Sequence, residues 1–228
     1  MVKILYLDEY IVVCHKSAGL LSEGEGKDSL VTLLCEELVA RGISNPKVFV
    51  VHRLDRDTEG VMVYALCPSA AARLSAQISE GTWNKIYNAV LWGSPESEGE
   101  QLCDLLYYDR ARSKSYVVER ERKGVKSASL DYRVLGRFDG PARTLVEIEL
   151  HTGRTHQIRV QFASRGHSVL GDRKYGSKTK SSGIALCSHK IEFTHPSSGK
   201  PVSFSYLPTD EALWGKYSNL LKKQSANG

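Results

Sequence analysis

Two segments of the 228-residue sequence concentrate side chains able to do chemistry. The first, His52-Arg53-Leu54-Asp55-Arg56-Asp57-Thr58-Glu59-Gly60, packs an imidazole, two guanidinium groups and two carboxylates into residues 52–57. A carboxylate held in such a setting serves as a nucleophile or as a general base, although salt-bridged turns produce similar clusters. This loop issues from one apolar run and leads into another, where rigidly placed functional side chains are commonly found. The second segment, His151-Thr152-Gly153-Arg154-Thr155-His156-Gln157-Ile158-Arg159, is rich in Arg and His with hardly any acid. Gly153 permits close backbone approach and the helix expected after it favours an anion at its start. Arg154 could meet a phosphate or a carboxylate there, or the segment could be an ordinary strand-to-helix turn.

The elements around these segments read as a mixed α+β chain. Ile4–Leu7 and Tyr10–Val13 flank a polar turn at Asp8-Glu9 and predict two β segments. With Asp28 or Ser29 as N-cap, Leu30, Leu33, Leu34 and Leu38 recur at helical spacing, and Gly42 supplies the stop. Val48–Val51 and Val61–Leu66 read as strands on either side of the charged loop. Pro68-Ser69 opens a second helix that carries Leu74 and Ile78 and closes at Gly81; Trp83–Trp92 alternates as a strand. Residues 93–101 read as a surface connection, with a subdomain hinge possible near them. Further strands are predicted at Ser115–Val118, Ser129–Leu135, Thr144–Leu150, Ile184–Cys187 and Val202–Tyr206. Helices are predicted at Thr155–Ser164 and around Leu213, Tyr217 and Leu220. The implied architecture is one domain spanning 1–228, with a largely antiparallel sheet and few helices on it.

Composition narrows the function. Hydrophobic residues at 41% and charged residues at 25% exclude fibrous, disordered and membrane classes. The start lacks the basic-then-apolar layout of a signal peptide, so a cytoplasmic protein is expected. Five scattered cysteines without a C-x-x-C pair, and a His151/His156 spacing that suits no helix face, make a disulfide framework or a bound metal unexpected. The net charge of +5 conceals an asymmetry. Residues 1–100 hold 9 Lys/Arg against 14 Asp/Glu, and residues 101–228 hold 22 against 12, which points to an acidic partner for the second half, nucleic acid first, or to a solvated basic face. Arg110, Arg112, Lys114, Arg120, Arg122, Lys123 and Lys126, joined by Arg173, Lys174, Lys178 and Lys180, are the candidate phosphate contacts.

The motifs together resemble the RluA-type family of RNA pseudouridine synthases. His52-Arg53-Leu54-Asp55-x-x-Thr58-x-Gly60 is similar to its catalytic motif. Lys85-Ile86-Tyr87-Asn88-Ala89 with Gly93 resembles its tyrosine motif, and Thr152–Arg159 its arginine motif. Gly171-Asp172-Arg173-Lys174-Tyr175-Gly176 and Phe193-Thr194-His195-Pro196 match two further segments in the family's order. Glu59 and Leu91 depart from the usual Ser and Val. The resemblance covers about residues 3–208 with its first strand by Ile4, so the N-terminal S4-like domain of many relatives is not expected.

The resemblance implies the pseudouridine synthase fold with a central active-site cleft, and a cofactor-free, metal-free isomerisation of uridine in rRNA or tRNA. It implies Asp55 as nucleophile or base, Arg154 as the cation that keeps it ionised, and Tyr87 as the ring that stacks on the base and helps deprotonate C5. Arg53 would fill the gap left by the extracted uridine, His52 would shape the loop, and Leu186 would line the pocket. Arg120, Arg122 and Lys123 would contact the RNA of a structured stem-loop. A monomer that binds neither membrane nor DNA is expected. Two other readings are a catalytically silent RNA-binding protein of the same fold and a metal-dependent nuclease using Asp55 and Asp57. The first is disfavoured because binding alone needs no Asp55, Tyr87 and Arg154 trio, the second because no further ligand set accompanies the pair.

Overall fold

The computed structural model describes residues 2–138, 142–179, 181 and 183–226, and Lys180 lies outside them. The chain forms two compact units: residues 1–85 with 188–206, and residues 86–187 with 207–228. The units divide after Lys85, Cys187 and Tyr206, and the 93–101 segment, the expected hinge, lies wholly inside the second unit.

In the first unit, β1 (Ile4–Leu7) and β2 (Ile11–Lys16) form an antiparallel hairpin. Its turn is fixed by Asp8, whose Oδ1 accepts from the Tyr10 and Ile11 amides at 2.8 Å each. α1 (Leu30–Ala40) buries Leu30, Leu34 and Leu38, the expected stripe. Ser29 stands at its N-cap, but its hydroxyl donates to the Gly24 carbonyl at 2.6 Å and does not cap the helix. β3 (Phe49–Val50) pairs with β4 (Glu59–Ala65), which lies antiparallel to β2. α2 (Pro68–Glu80) follows with Pro at its first turn and Gly81 at its C-cap, buries Ala70 and Leu74, and leads to β5 (Asn84–Trp92).

The second unit holds β6 (Gly99–Asp109), β7 (Lys114–Val118), β8 (Val125–Phe138) and β9 (Arg143–Leu150), with β5, β9, β8, β6 and β7 in antiparallel order. α3 (Gln157–Ser164) packs on this sheet, where Leu106, Ala128, Val160 and Tyr175 make a small core. Burying a side chain of the size of Leu106 or Val160 contributes about 1.5–3 kcal/mol. β10 (Leu186–Thr194) then brings Ser188–Thr194 back to the first unit, beside β4, and β11 (Pro201–Ser205) closes that sheet. α4 (Glu211–Trp214) and α5 (Ser218–Ala226) end the second unit. Asp210 caps α4 through the Leu213 amide. Among the described residues no helix is long and apolar enough to cross a membrane.

β6 departs from the expected surface connection, which covered its first three residues. Asp104 interrupts the apolar alternation along β6, yet it accepts from Gln161 Nε2 at 2.7 Å and Arg165 Nη1 at 2.9 Å on α3. The partners that make an inward carboxylate tolerable lie far along the chain. α3 also starts later than the apolar spacing predicts, because His156 adopts a left-handed backbone (φ 55°, ψ 24°) as its N-cap.

Candidate active site

The loop bearing Asp55 belongs to the first unit and is fastened on both sides of that residue. The Ser22 hydroxyl accepts from the Leu54 amide at 3.0 Å and donates to the Leu54 carbonyl at 2.9 Å. Tyr64, fully buried on β4, donates its hydroxyl to the Ser22 carbonyl at 2.8 Å and so holds the clasp to the sheet. After Asp55, the Thr58 amide closes a turn onto the Asp55 carbonyl at 3.1 Å, and Gly19 and Arg56 exchange hydrogen bonds at 2.8 and 2.9 Å. Leu54 and Thr58 are buried whereas Asp55 is half-buried, so the carboxylate sits at a solvent boundary on a fixed backbone.

Beneath this loop lies Lys16, the last residue of β2 and fully buried. Its Nζ donates to the carbonyls of Thr58 at 2.8 Å, Arg56 at 2.9 Å and Ser17 at 3.3 Å, which uses the three donors of an ammonium. Burial pushes its pKa down to about 8 against the pull of the nearby Asp55, Asp57 and Glu59 carboxylates. Lys16 is thus both a peg for the loop and a positive charge within reach of Asp55.

His52 turns its ring inward. Nε2 accepts from the Val63 amide at 3.0 Å, and the ring meets Trp83 edge-on with centroids 5.1 Å apart. Burial, aided by Lys85, lowers its pKa to about 3, so the imidazole is neutral with its proton on Nδ1. That geometry fits a loop-shaping residue. Arg53 points outward, 65% exposed, with Nη1 on Glu23 Oε1 at 2.6 Å. At the loop's far end Gly60 has φ +128°, and a Cβ there would lie within 2.8 Å of three backbone atoms of Ser188. The close approach of β10 to the loop's exit therefore requires glycine.

In the second unit the arginine segment is clamped by Gln157. Its Oε1 accepts from the Arg154 amide at 3.0 Å and the Thr152 hydroxyl at 2.7 Å, while its Nε2 donates to the Ser129 carbonyl at 3.1 Å. The Arg154 side chain donates from Nε to the Ser127 carbonyl at 2.9 Å, which fixes the plane of a half-buried guanidinium. Behind it, Arg159 and Asp172 form a bidentate buried pair at 2.7 and 2.9 Å, tying α3 to the Asp172–Gly176 turn. Tyr87 on β5 and Leu186 at the start of β10 are both buried. Arg120, Arg122 and Lys123 are exposed in the turn between β7 and β8, with the Arg122 guanidinium 4.7 Å from the Tyr107 ring centre. Among the described residues no group of three or more His, Cys, Asp or Glu is placed to hold a metal ion.

Asp55, Arg53 and His52 therefore share one unit, and Tyr87, Arg154, Leu186 and the basic turn share the other. Sequence reasoning missed Lys16, Ser22 and Tyr64, and it named Gln157 within the arginine motif without its clamping role. The available signal for Lys16 was its place in the strand alternation with Val12 and Cys14, which puts its side chain on the same buried face of β2.

Comparison with known proteins places the chain in a family. Residues 10–164 match the family model for RNA pseudouridylate synthase. The chain is 36% identical over 209 residues to the dual-specificity RNA pseudouridine synthase RluA of Yersinia pestis, covering 88% of this chain and 96% of that protein. It is 33% identical over 230 residues to ribosomal large subunit pseudouridine synthase D of Zymomonas mobilis, covering 92% and 71%. The solved structure of human RNA pseudouridylate synthase domain containing 4 shares the fold, with a TM-score of 0.75, 21% identity and coverage of 96% and 93%. With its motifs in order, the match spanning most of the sequence and the fold in common, the chain belongs to the RluA-type family of RNA pseudouridine synthases, enzymes that isomerise uridine to pseudouridine.

Proposed function

We propose that this enzyme acts as a cytoplasmic monomer on uridines of structured rRNA or tRNA, without cofactor, using Asp55. The reaction breaks the bond from uracil N1 to ribose C1′, turns the base and rejoins it through C5, whose proton passes to N1 directly or by exchange through solvent. Atoms balance and no electrons are exchanged. An ionised carboxylate is required, either to attack the sugar or to remove a ribose proton, and Asp55 fills that role. Tyr87 stacks on the base and assists loss of the C5 proton, and Arg154 supplies the fixed guanidinium of the arginine motif. Arg53 enters the stack when the uridine leaves it, Leu186 lines the base pocket, and Arg120, Arg122 and Lys123 meet phosphates.

The observation that carries this reading is the mounting of Asp55. The backbone before it is clasped by Ser22 and Tyr64, and the backbone after it is pegged by a buried ammonium that also draws its carboxylate. Such fixation suits a group that must reach one atom of a flipped nucleotide. The test maps pseudouridines in rRNA and tRNA from cells that carry the wild-type chain, Asp55→Asn or neither. One or more sites should depend on the wild type and vanish with Asp55→Asn, whose RNA affinity stays within several-fold. Sites that persist with Asp55→Asn would remove the residue from the reaction.

A further inference from the structure

On the face of β6 that packs against α3, Leu102 and Leu106 are buried, but the next residue of the row, Tyr108, is 37% exposed. Its neighbour there is His156, whose ring stands perpendicular to it with centroids 6.2 Å apart. His156 is held in place: its backbone is left-handed, and Nδ1 lies 3.0 Å from the Tyr175 hydroxyl. That hydroxyl in turn accepts from the Ser115 amide at 2.8 Å and donates to its carbonyl at 3.2 Å. Ser115 is paired with Tyr108 across the β6–β7 hairpin, and its own hydroxyl donates to the Thr155 carbonyl, next to Arg154. Exposed aromatic surface, a fixed imidazole and the arginine segment thus form one continuous stretch. Exposed cations adjoin it along the chain: Arg110 follows Tyr108 by two residues, Arg112 engages Asp109 at 3.7 Å in the next turn, and Lys126 on β8 is paired with Leu106.

We infer that Tyr108 and His156 form a ledge on which an unpaired nucleobase of the RNA, other than the reacting uracil, is stacked. The chemistry is that of single-strand RNA recognition: an aromatic ring for the base, with guanidinium and ammonium groups for the adjoining phosphates. Tyr175 and Ser115 are positioning residues that set the angle of the imidazole. The inference rests on RNA being the substrate and adds a subsite to it.

The test compares two fluorescein-labelled decamers at low salt, oligouridylate and a decamer of the same backbone in which every base is absent. Tyr108→Ala should weaken binding of oligouridylate by about five- to hundredfold, the range of a lost base stack, and leave the abasic decamer unchanged. Tyr108→Trp, which keeps an aromatic surface, should bind oligouridylate at least as well as wild type. Its added indole emission should be quenched by oligouridylate and not by the abasic decamer. Equal losses on both decamers, no loss on either, or wild-type binding that does not distinguish bases from bare backbone would each overturn the ledge. Pseudouridine formation by the wild type is read separately, so a failure of the proposed activity is distinguishable from a failure of the ledge.

Discussion

The Nζ of Lys16 lies 2.8 Å from the carbonyl of Thr58, joining the end of β2 to the exit of the loop that bears Asp55. A buried ammonium that spends its donors on three loop carbonyls resists loop displacement, because each bond broken leaves charge or carbonyl unsatisfied in the interior.

Replacing Lys16 by Met should therefore lower the single-turnover rate at least tenfold with RNA affinity within a few-fold, and Lys16→Arg should recover part of the rate. The native protein sheds the Lys16 proton near pH 8, whereas the unfolded chain keeps it to 10.5. Between those values the unfolded chain binds more protons, so this site's contribution to stability rises with pH, by roughly 3 kcal/mol in all. Urea midpoints at pH 7.5 and 10 should show the rise in wild type and not in Lys16→Met; parallel behaviour would contradict it.

For His52 the direction is the same, and the window lies in acid. Its native pKa near 3 lies below the unfolded value of 6.5, so the unfolded chain takes up a proton first on acidification. Stability from this site is complete above pH 6.5 and is lost as pH falls toward 3. Comparing thermal midpoints at pH 7 and 5, His52→Asn should be destabilised at pH 7 and lose less than wild type on going to pH 5. A catalytic pH profile with an ascending limb that disappears in His52→Asn would instead make the residue a proton carrier.

Gly60→Ala should cost about 2–4 kcal/mol, because φ +128° disfavours any side chain and the new Cβ meets backbone atoms that no rotamer change can move. Differential scanning calorimetry gives the answer directly. An unchanged melting temperature would mean that β10 can retreat from the loop.

Among the described residues Arg53 makes an exposed pair with Glu23, an interaction worth about 0–1 kcal/mol, which RNA could displace at little cost. Arg53→Ala should slow turnover most on an RNA whose target uridine is stacked in a stem-loop, and less where the uridine is already unstacked. Equal losses on both RNAs would assign Arg53 to loop packing.

Charge reversal at Arg120, Arg122 and Lys123 together should flatten the dependence of log affinity on log salt by about 2 or more, since each phosphate contact releases close to one counterion. An unaltered slope would mark the turn between β7 and β8 as a solvated face.

The hydrophobic spacing of α1, α2 and β5 was readable because each element carries its own stripe or alternation. β6 was not, since its inward Asp104 is explained only by Gln161 and Arg165 on α3. β10 was read as ending at Cys187, although it continues to Thr194 through buried Ser188 and His189, whose ring bonds the Tyr206 carbonyl at 2.8 Å. At the site, the motif residues Asp55, Tyr87 and Arg154 were legible as residue types in a known order. Their supports were not: Lys16 and Ser22 act on backbone carbonyls and amides, and a hydrogen bond to main chain leaves no trace in the identity of its partner.

The first unit borrows Ser188–Tyr206 from far along the chain, and Gly60 leans directly on Ser188. On the ribosome this orders events against the direction of synthesis. The sheet of β5 to β9 is contiguous and can close as it emerges, while β4 waits for β10, a strand not yet translated. The part of the enzyme made first is completed late: the clasp of Ser22, Tyr64 and Lys16 on the Asp55 loop is available early, but the Gly60–Ser188 contact at the loop's exit forms only after β10 has emerged.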